Sequence, residues 1–268
     1  MRIVRAIAEL RQALGEPRGR GERIGLVPTM GAFHDGHLAL IRAAREGSDV
    51  VVVSLFVNPS QFNAADDLAR YPRSEESDAR AAEAVGVDFL FAPPADELYP
   101  DGFDTWVEPG TLATILEGAA RPGHFRGVAT VCTKLFAIVG PDIAWFGQKD
   151  AQQVEVVRRV VSDLNLPVEI RVVPTVRDGD GLALSSRNVF LSPAERTTAL
   201  ALPRALEAGL VAHRSTGDAV GAARRVLDAE PGLTVDYVAI ADFDVPTLVA
   251  AVRVGATRLI DNVRLESR

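Results

Sequence analysis

The run Val50-Val51-Val52-Val53-Ser54-Leu55-Phe56-Val57 constrains this chain more than any other segment. It is rich in β-branched residues, too short for a typical helix, and shows no alternation of apolar with polar residues. A strand that is apolar on both faces must be covered on both faces, as in the middle of a parallel sheet. Further strands are predicted at Ile24–Val27, at Phe89–Ala92 before Pro93 and Pro94, at Asp142–Phe146 and at Val168–Val173. Helical patterns lie between them: one from Leu38, then Asp78–Val85, Thr130–Val139 ending at Gly140-Pro141, and Gln152–Leu164.

This alternation predicts an α/β protein: a Rossmann-like parallel sheet with helices on both faces. Composition shifts near Val176, where the turn-rich Arg177-Asp178-Gly179-Asp180-Gly181 begins. Helices are predicted beyond it at about Pro193–His213 and Gly217–Asp228, and strands at Val235–Ile240 and Thr257–Ile260. The expected organisation is a nucleotide- and substrate-binding domain over residues 1–175. A smaller C-terminal α+β domain over 176–268 is expected to close over the site. Met1–Leu14 places apolar residues at helical spacing, and Glu16–Arg23 reads as an exposed loop.

Lys and Arg number 29 against 36 Asp and Glu, a net charge of -7. That disfavours a nucleic-acid partner, which would need a basic face, but permits a local basic pocket. No apolar run approaches the length that spans a bilayer, and Met1–Leu14 lacks the core of a signal peptide. The single cysteine, Cys132, excludes an intrachain disulfide and reads as a small buried hydrophobe. A cytoplasmic location and no membrane partner are expected.

Ligands of such sheets bind outside the C-terminal ends of the strands, and the polar motifs fall there. Strand one leads into Pro28-Thr29-Met30-Gly31-Ala32-Phe33-His34-Asp35-Gly36-His37. Two of the four histidines stand there, where a helix begins. Unpaired N–H groups, the helix dipole and two imidazole donors suit a nucleotide phosphate. Strand two leads into Asn58-Pro59-Ser60-Gln61-Phe62, whose amides suit a hydroxyl and a carboxylate on a small substrate. Strand four leads into Gly147-Gln148-Lys149-Asp150, with a cation able to meet phosphate, and Gln153 follows one helical turn later. Strand five leads toward Ser185-Ser186-Arg187-Asn188, two hydroxyls beside a guanidinium. Arg121-Pro122-Gly123-His124-Phe125-Arg126-Gly127 reads either as a mobile anion-binding lid or as a solvated linker. Gly-x-Ser-x-Gly, the phosphate-loop pattern and Gly-x-Gly-x-x-Gly after the first strand are absent, which counts against simple hydrolases, phosphate-loop kinases and common dehydrogenases.

Taken together, Pro28–Gly31, His34–His37, Phe56–Phe62, Tyr71-Pro72-Arg73, Arg121–Gly127, Phe146–Asp150 and Leu184–Asn188 resemble, in order, the pantothenate synthetase family. The His-Asp-Gly-His turn also resembles the wider nucleotidyltransferase superfamily. The resemblance implies ATP-dependent condensation of pantoate with β-alanine through pantoyl adenylate, with AMP and pyrophosphate released. It implies that Met30, Gly31, Ala32, Phe33, His34, Asp35, Gly36 and His37 contact ATP, together with Gly147, Gln148, Lys149, Asp150, Val176, Leu184, Ser185, Ser186 and Arg187. His37, His34 and Lys149 are the implied catalytic group, with His37 as proton donor. Gln61, Gln153 and Asn58 are the implied substrate contacts. Mg2+ as cofactor, Asp78 near that metal, and a cytoplasmic homodimer are implied as well. Two departures from the family pattern stand out: Phe33 where Leu is frequent, and Asn63-Ala64-Ala65-Asp66 in place of a glycine-containing linker. A related transferase acting on another small acceptor, or a non-catalytic nucleotide sensor, are the competing expectations.

Overall fold

The structure, a computed structural model, describes residues 1–62, 68–69 and 71–266, so the unusual linker at Asn63-Ala64-Ala65-Asp66 lies outside the described residues. The chain divides into two units: Met1–Gly147 with Gln152–Val173, and Gln148–Ala151 with Pro174–Arg268.

The first unit runs β1 (Arg2–Val4), α1 (Ile7–Ala13), α2 (Gly15–Gly19), β2 (Ile24–Thr29), α3 (Asp35–Gly47), β3 (Val50–Leu55) and α4 (Glu75–Ala84). It continues β4 (Phe89–Phe91), α5 (Ala95–Leu98), α6 (Glu117–Ala120), α7 (His124–Val139), β5 (Ile143–Gly147), α8 (Ala151–Asp163) and β6 (Glu169–Val173). The six strands form one parallel sheet in the order β1-β4-β3-β2-β5-β6. The valine run becomes β3, near the centre, and its alternate residues enter two cores. Val50 and Val52 join Leu26, Phe91 and residues of α7 on one face. Val51 and Val53 join Val27, Leu90, Ile41 of α3 and Ala82 of α4 on the other. Val51, Val52 and Val53 are completely buried, each contributing roughly 1.5–3 kcal/mol of transfer free energy. This burial is why the run carries no polar residue except Ser54, whose carbonyl accepts the Thr29 hydroxyl. The strand order reverses direction between β2 and β5, the position where open α/β sheets hold ligands.

Several local expectations are corrected. A three-residue strand lies inside the helical spacing of Met1–Leu14; it is an edge strand pairing with β4 alone. The stretch Glu16–Arg23 begins in α2, where Pro17 is buried, rather than forming an exposed loop throughout. The segment Arg121–Gly127 is neither lid nor linker. α7 starts at His124, after the left-handed Gly123, and His124, Phe125 and Gly127 are buried.

The second unit contains α9 (Pro193–Ala199), α10 (Ala201–Ser215), α11 (Ala219–Asp228) and the antiparallel sheet β7 (Leu233–Ala241), β8 (Thr247–Val254), β9 (Thr257–Arg264). The predicted helix Pro193–His213 is thus two helices meeting at Leu200. β8, absent from the strands predicted above, is the central strand and is buried along almost all its length. Leu202, Ala205 and Leu206 of α10 pack with Ala223 and Leu227 of α11 and with Leu248, Ala250 and Val252 of β8. Cys132, in the first unit, is 3% exposed, and burial pushes its thiol up to about 12, so it packs as a hydrophobe.

Gly209 stands where α10 meets both α11 and β8. A Cβ there would run into the Leu248 side chain and stand 2.9 Å from the Ala219 carbonyl. Gly209→Ala therefore sets a helix-propensity gain of about 0.8–1.0 kcal/mol against an overpacking cost of about 1–3 kcal/mol. The expected result is net destabilisation in a denaturant titration; an equal or higher midpoint would contradict the close packing.

Candidate active site

The turn after β2 is built from backbone constraints. Gly31 and Ala32 are both left-handed, at φ 85° and 53°. Gly31 is required twice: by its φ, and because a Cβ would lie 2.6 Å from Leu55 and 2.9 Å from the Asp78 carboxylate. For Ala32 the conformation costs about 1–2 kcal/mol. Asp78 offsets that cost. It reaches from α4, 2% exposed, and its two oxygens accept from the Ala32 N–H (2.9 Å) and the Phe33 N–H (2.8 Å). Charge-assisted bonds of this kind are worth about 1.5–3 kcal/mol.

The two histidines cap α3 reciprocally. His34 Nδ1 accepts from the Gly36 N–H (3.2 Å), and His37 Nδ1 accepts from the His34 N–H (3.3 Å). A backbone N–H can only donate, so both Nδ1 atoms must be unprotonated and both rings carry their proton on Nε2. The rings stand 4.1 Å apart, and Phe33 lies 5.4 Å from His37. The result is a pair of adjacent Nε2–H donors at a helix N-terminus, an arrangement suited to phosphate oxygens.

The segment after β3 meets this turn. Gln61, 7% exposed, directs Nε2 to the Met30 sulfur at 3.1 Å. Its Oε1 accepts from Asn58 Nδ2 at 3.0 Å. Asn58 Nδ2 also donates to the Gly127 carbonyl, while Asn58 Oδ1 accepts from the Ser60 N–H and hydroxyl. The Asn58 side chain, 1% exposed, is fully engaged by the protein. Its bond to Gln61 Oε1 orients that neighbouring amide. The Gln61 carbonyl accepts from Arg121 at 3.3 Å and meets His124 Nδ1 at 2.9 Å. Gly127 has no side chain because the Ser60 carbonyl would stand 2.5 Å from its Cβ. The Arg121–Gly127 motif is thus the wall against which Ser60 and Gln61 are set. In sequence it resembles a lid because glycine and charge dominate it. Gln152, adjacent to Gln153, bonds the 112–117 segment through both ends of its amide. The structure ties Gln153 itself, half-buried, to none of these groups.

In the second unit, Gln148-Lys149-Asp150 forms a short turn in which Lys149 Nζ lies 3.4 Å from Asp150. Asn262 of β9 donates to the Gln148 and Lys149 carbonyls, both at 2.9 Å, and accepts from the Gln148 amide at 3.1 Å. Val176 and Leu184 are joined by a backbone bond of 3.0 Å, closing a loop that carries Ser185–Arg187. Ser185 caps the following turn by accepting from the Arg187 N–H at 3.2 Å. Arg177 makes a paired bond to buried Asp261, at 2.6 and 3.0 Å. Neither Asp261 nor Asn262 stands out in the sequence, since both lie in a strand with no motif. Among the described residues there is no group of three or more His, Cys, Asp or Glu arranged to hold a metal ion, and no helix long and apolar enough to cross a membrane.

Comparison with known proteins matches residues 2–264 to the pantoate-beta-alanine ligase family. The pantothenate synthetase of Roseiflexus sp. (strain RS-1) is 53% identical, with all of both chains covered. That of Moorella thermoacetica is 50% identical over 99% of each. The crystal structure of pantothenate synthetase from Thermus thermophilus superposes with a TM-score of 0.93 at 47% identity, covering both chains completely. A Francisella tularensis pantoate-beta-alanine ligase, complexed with beta-gamma ATP and beta-alanine, superposes with a TM-score of 0.85 at 35% identity over 100% of this chain and 99% of that one. A histidine-capped turn at the sheet's switch point, a buried amide beside it, and full-length likeness at this level lead to one statement: this chain belongs to the pantoate-beta-alanine ligase family.

Proposed function

We propose that this chain joins pantoate to β-alanine with consumption of ATP, its own residues taking the following roles. The observation that carries the reading is the pair of Nε2–H donors fixed by reciprocal capping at the start of α3, in a chain matched along its length by ligases of this kind. A related transferase for another small acceptor is not favoured by that match.

A pantoate carboxylate oxygen attacks the α-phosphorus of ATP. The new P–O bond forms as the bond to the departing pyrophosphate breaks. Both reactants are anions, so the barrier is dominated by charge at the phosphorus and on the leaving group. His34 and His37 donate from Nε2 to phosphate oxygens, and Lys149, Ser185, Ser186 and Arg187 serve the same nucleotide. Main-chain groups of Met30–His37, Gly147–Asp150, Val176 and Leu184 complete its contacts. The second Nε2 hydrogen of Gln61 and Gln153's amide hold the pantoate. In the second step the neutral amine of β-alanine attacks the acyl carbon; the C–N bond forms as the acyl C–O bond to AMP breaks, and the nitrogen's surplus proton passes to solvent. No side chain acts as a nucleophile; orientation and charge neutralisation supply the rate.

Mg2+ belongs to this reading as part of the MgATP substrate. The described residues hold no ligand cluster, and Mg2+ characteristically keeps its waters and binds through phosphates with one or two carboxylates. Asp78, implied by resemblance to lie near the metal, has both oxygens engaged by backbone N–H groups, which supports an anchoring role. A cytoplasmic homodimer completes the reading, on family resemblance alone.

With ATP and pantoate only, pyrophosphate release should stop near the enzyme concentration, and AMP should appear only when β-alanine is added. AMP formed with no β-alanine present would overturn the two-step scheme. Chelating divalent cations should abolish pyrophosphate release and added Mg2+ should restore it, while the far-ultraviolet circular dichroism stays unchanged; loss of the spectrum on chelation would mean that the metal belongs to the fold. Asp78→Asn turns one acceptor into a donor facing an N–H. It should lower stability by about 1–3 kcal/mol and, in the protein that remains folded, raise KM for ATP. Unchanged ATP kinetics would show that the turn holds its shape without the carboxylate.

A further inference from the structure

The turn carrying Lys149 belongs to the first unit by sequence, following β5 directly, yet residues 148–151 group with the second. One side chain of that unit bonds this turn directly. Asn262, 5% exposed on the edge strand β9, directs three side-chain bonds at this turn: two donated to the carbonyls of Gln148 and Lys149, one accepted from the Gln148 amide. The partners are 113 and 114 residues apart in sequence. The residue before it is equally committed. Asp261 is buried, receives the paired bond from Arg177, and accepts from the Asn262 N–H at 2.8 Å. Arg177 also donates to the Gly181 carbonyl, inside the loop that joins Val176 to Leu184. One dipeptide of β9 therefore holds the lysine turn and braces the loop leading to Ser185-Ser186-Arg187.

We infer that Asn262 is a positioning residue for the adenylation step: its carboxamide fixes the main chain at Lys149 so that the flexible ammonium meets the nucleotide phosphates at little further cost in conformational entropy. The inference rests on the assignment of Lys149 to the nucleotide. A lysine side chain has free rotamers, and what its backbone does not hold must be ordered at the transition state. A mere packing role for Asn262 is the less economical account, because an aliphatic residue would fill a buried strand position without needing three partners.

The test is steady-state pyrophosphate release by the full chain supplied with ATP, pantoate and saturating β-alanine. Asn262→Ala, and Asn262→Asp, which keeps the shape but sets carboxylate oxygens against two carbonyls, should each lower kcat/KM for ATP about tenfold. KM for pantoate should stay within about twofold of the parent's, since the pantoate contacts lie elsewhere. Asp236→Asn serves as the stability control: it loosens the same sheet by weakening the pairs with Arg253 and Arg258, and should leave kcat/KM per folded molecule unchanged. Lys149→Ala should be strongly impaired, and adding Asn262→Ala to it should cost less than about a further twofold, since the two act as one unit. Losses that multiply fully in the double variant, or an Asn262→Ala loss matched by Asp236→Asn at equal stability, would overturn the positioning role while leaving Lys149 in place. A Lys149→Ala protein as active as the parent would overturn the assignment of Lys149, and the positioning role with it.

Discussion

The bond pair from Asp78 to the Ala32 and Phe33 N–H groups is the constraint on which the rest of the site depends. Two successive left-handed residues form an unfavourable start to a turn, and nothing in the turn's own sequence compensates for Ala32. A buried carboxylate from a helix 45 residues downstream does so. With the turn fixed, the chain enters α3 at an angle that lets His34 and His37 cap one another. That cap decides which nitrogen of each ring carries the proton. The geometry of the proposed phosphate site therefore begins with hydrogen bonds accepted by Asp78 on a separate helix.

The same device recurs. Asn58 commits its whole amide to Ser60, Gln61 and Gly127 and thereby points Gln61. His124 and Arg121 hold the Gln61 carbonyl. Asn262 holds the carbonyls of Gln148 and Lys149. In each case a buried polar side chain meets main-chain groups of a loop. Such bonds are directional and costly to leave unmade, so they define loop geometry better than apolar contact does. The anchoring side chains come from the turn after β3, from Arg121–His124 at the start of α7 and, within the second unit, from β9.

Much of the fold is legible in the sequence because its signals are local. The valine run at 50–57 has no stable alternative to a doubly covered strand, and both cores form where its alternation places them. Strand ends marked by Pro, Gly and polar residues can be found for the same reason. The edge strand Arg2–Val4 cannot, since three residues carry too little periodicity and its pairing with β4 is non-local. β8 escapes sequence reading although it is the most buried strand of its sheet. The Arg121–Gly127 segment misleads because its composition speaks of solvent, whereas Gly127 is there for close approach to Ser60.

Alone, the sequence determined the fold class and singled out candidates for chemistry: the histidine turn, the Asn58–Gln61 segment, the lysine turn and the Ser-Ser-Arg loop are ordered motifs whose residue types suit phosphate and a small acid. Tertiary structure decided what holds them and in which state. The Nε2–H tautomer of both histidines, the commitment of Asn58 to the protein, and the parts of Asp78, His124 and Asn262 all arise from hydrogen bonds that only the folded chain can make. Periodicity and motif spacing report only on neighbours in sequence, and a bond across 114 residues leaves no trace in either.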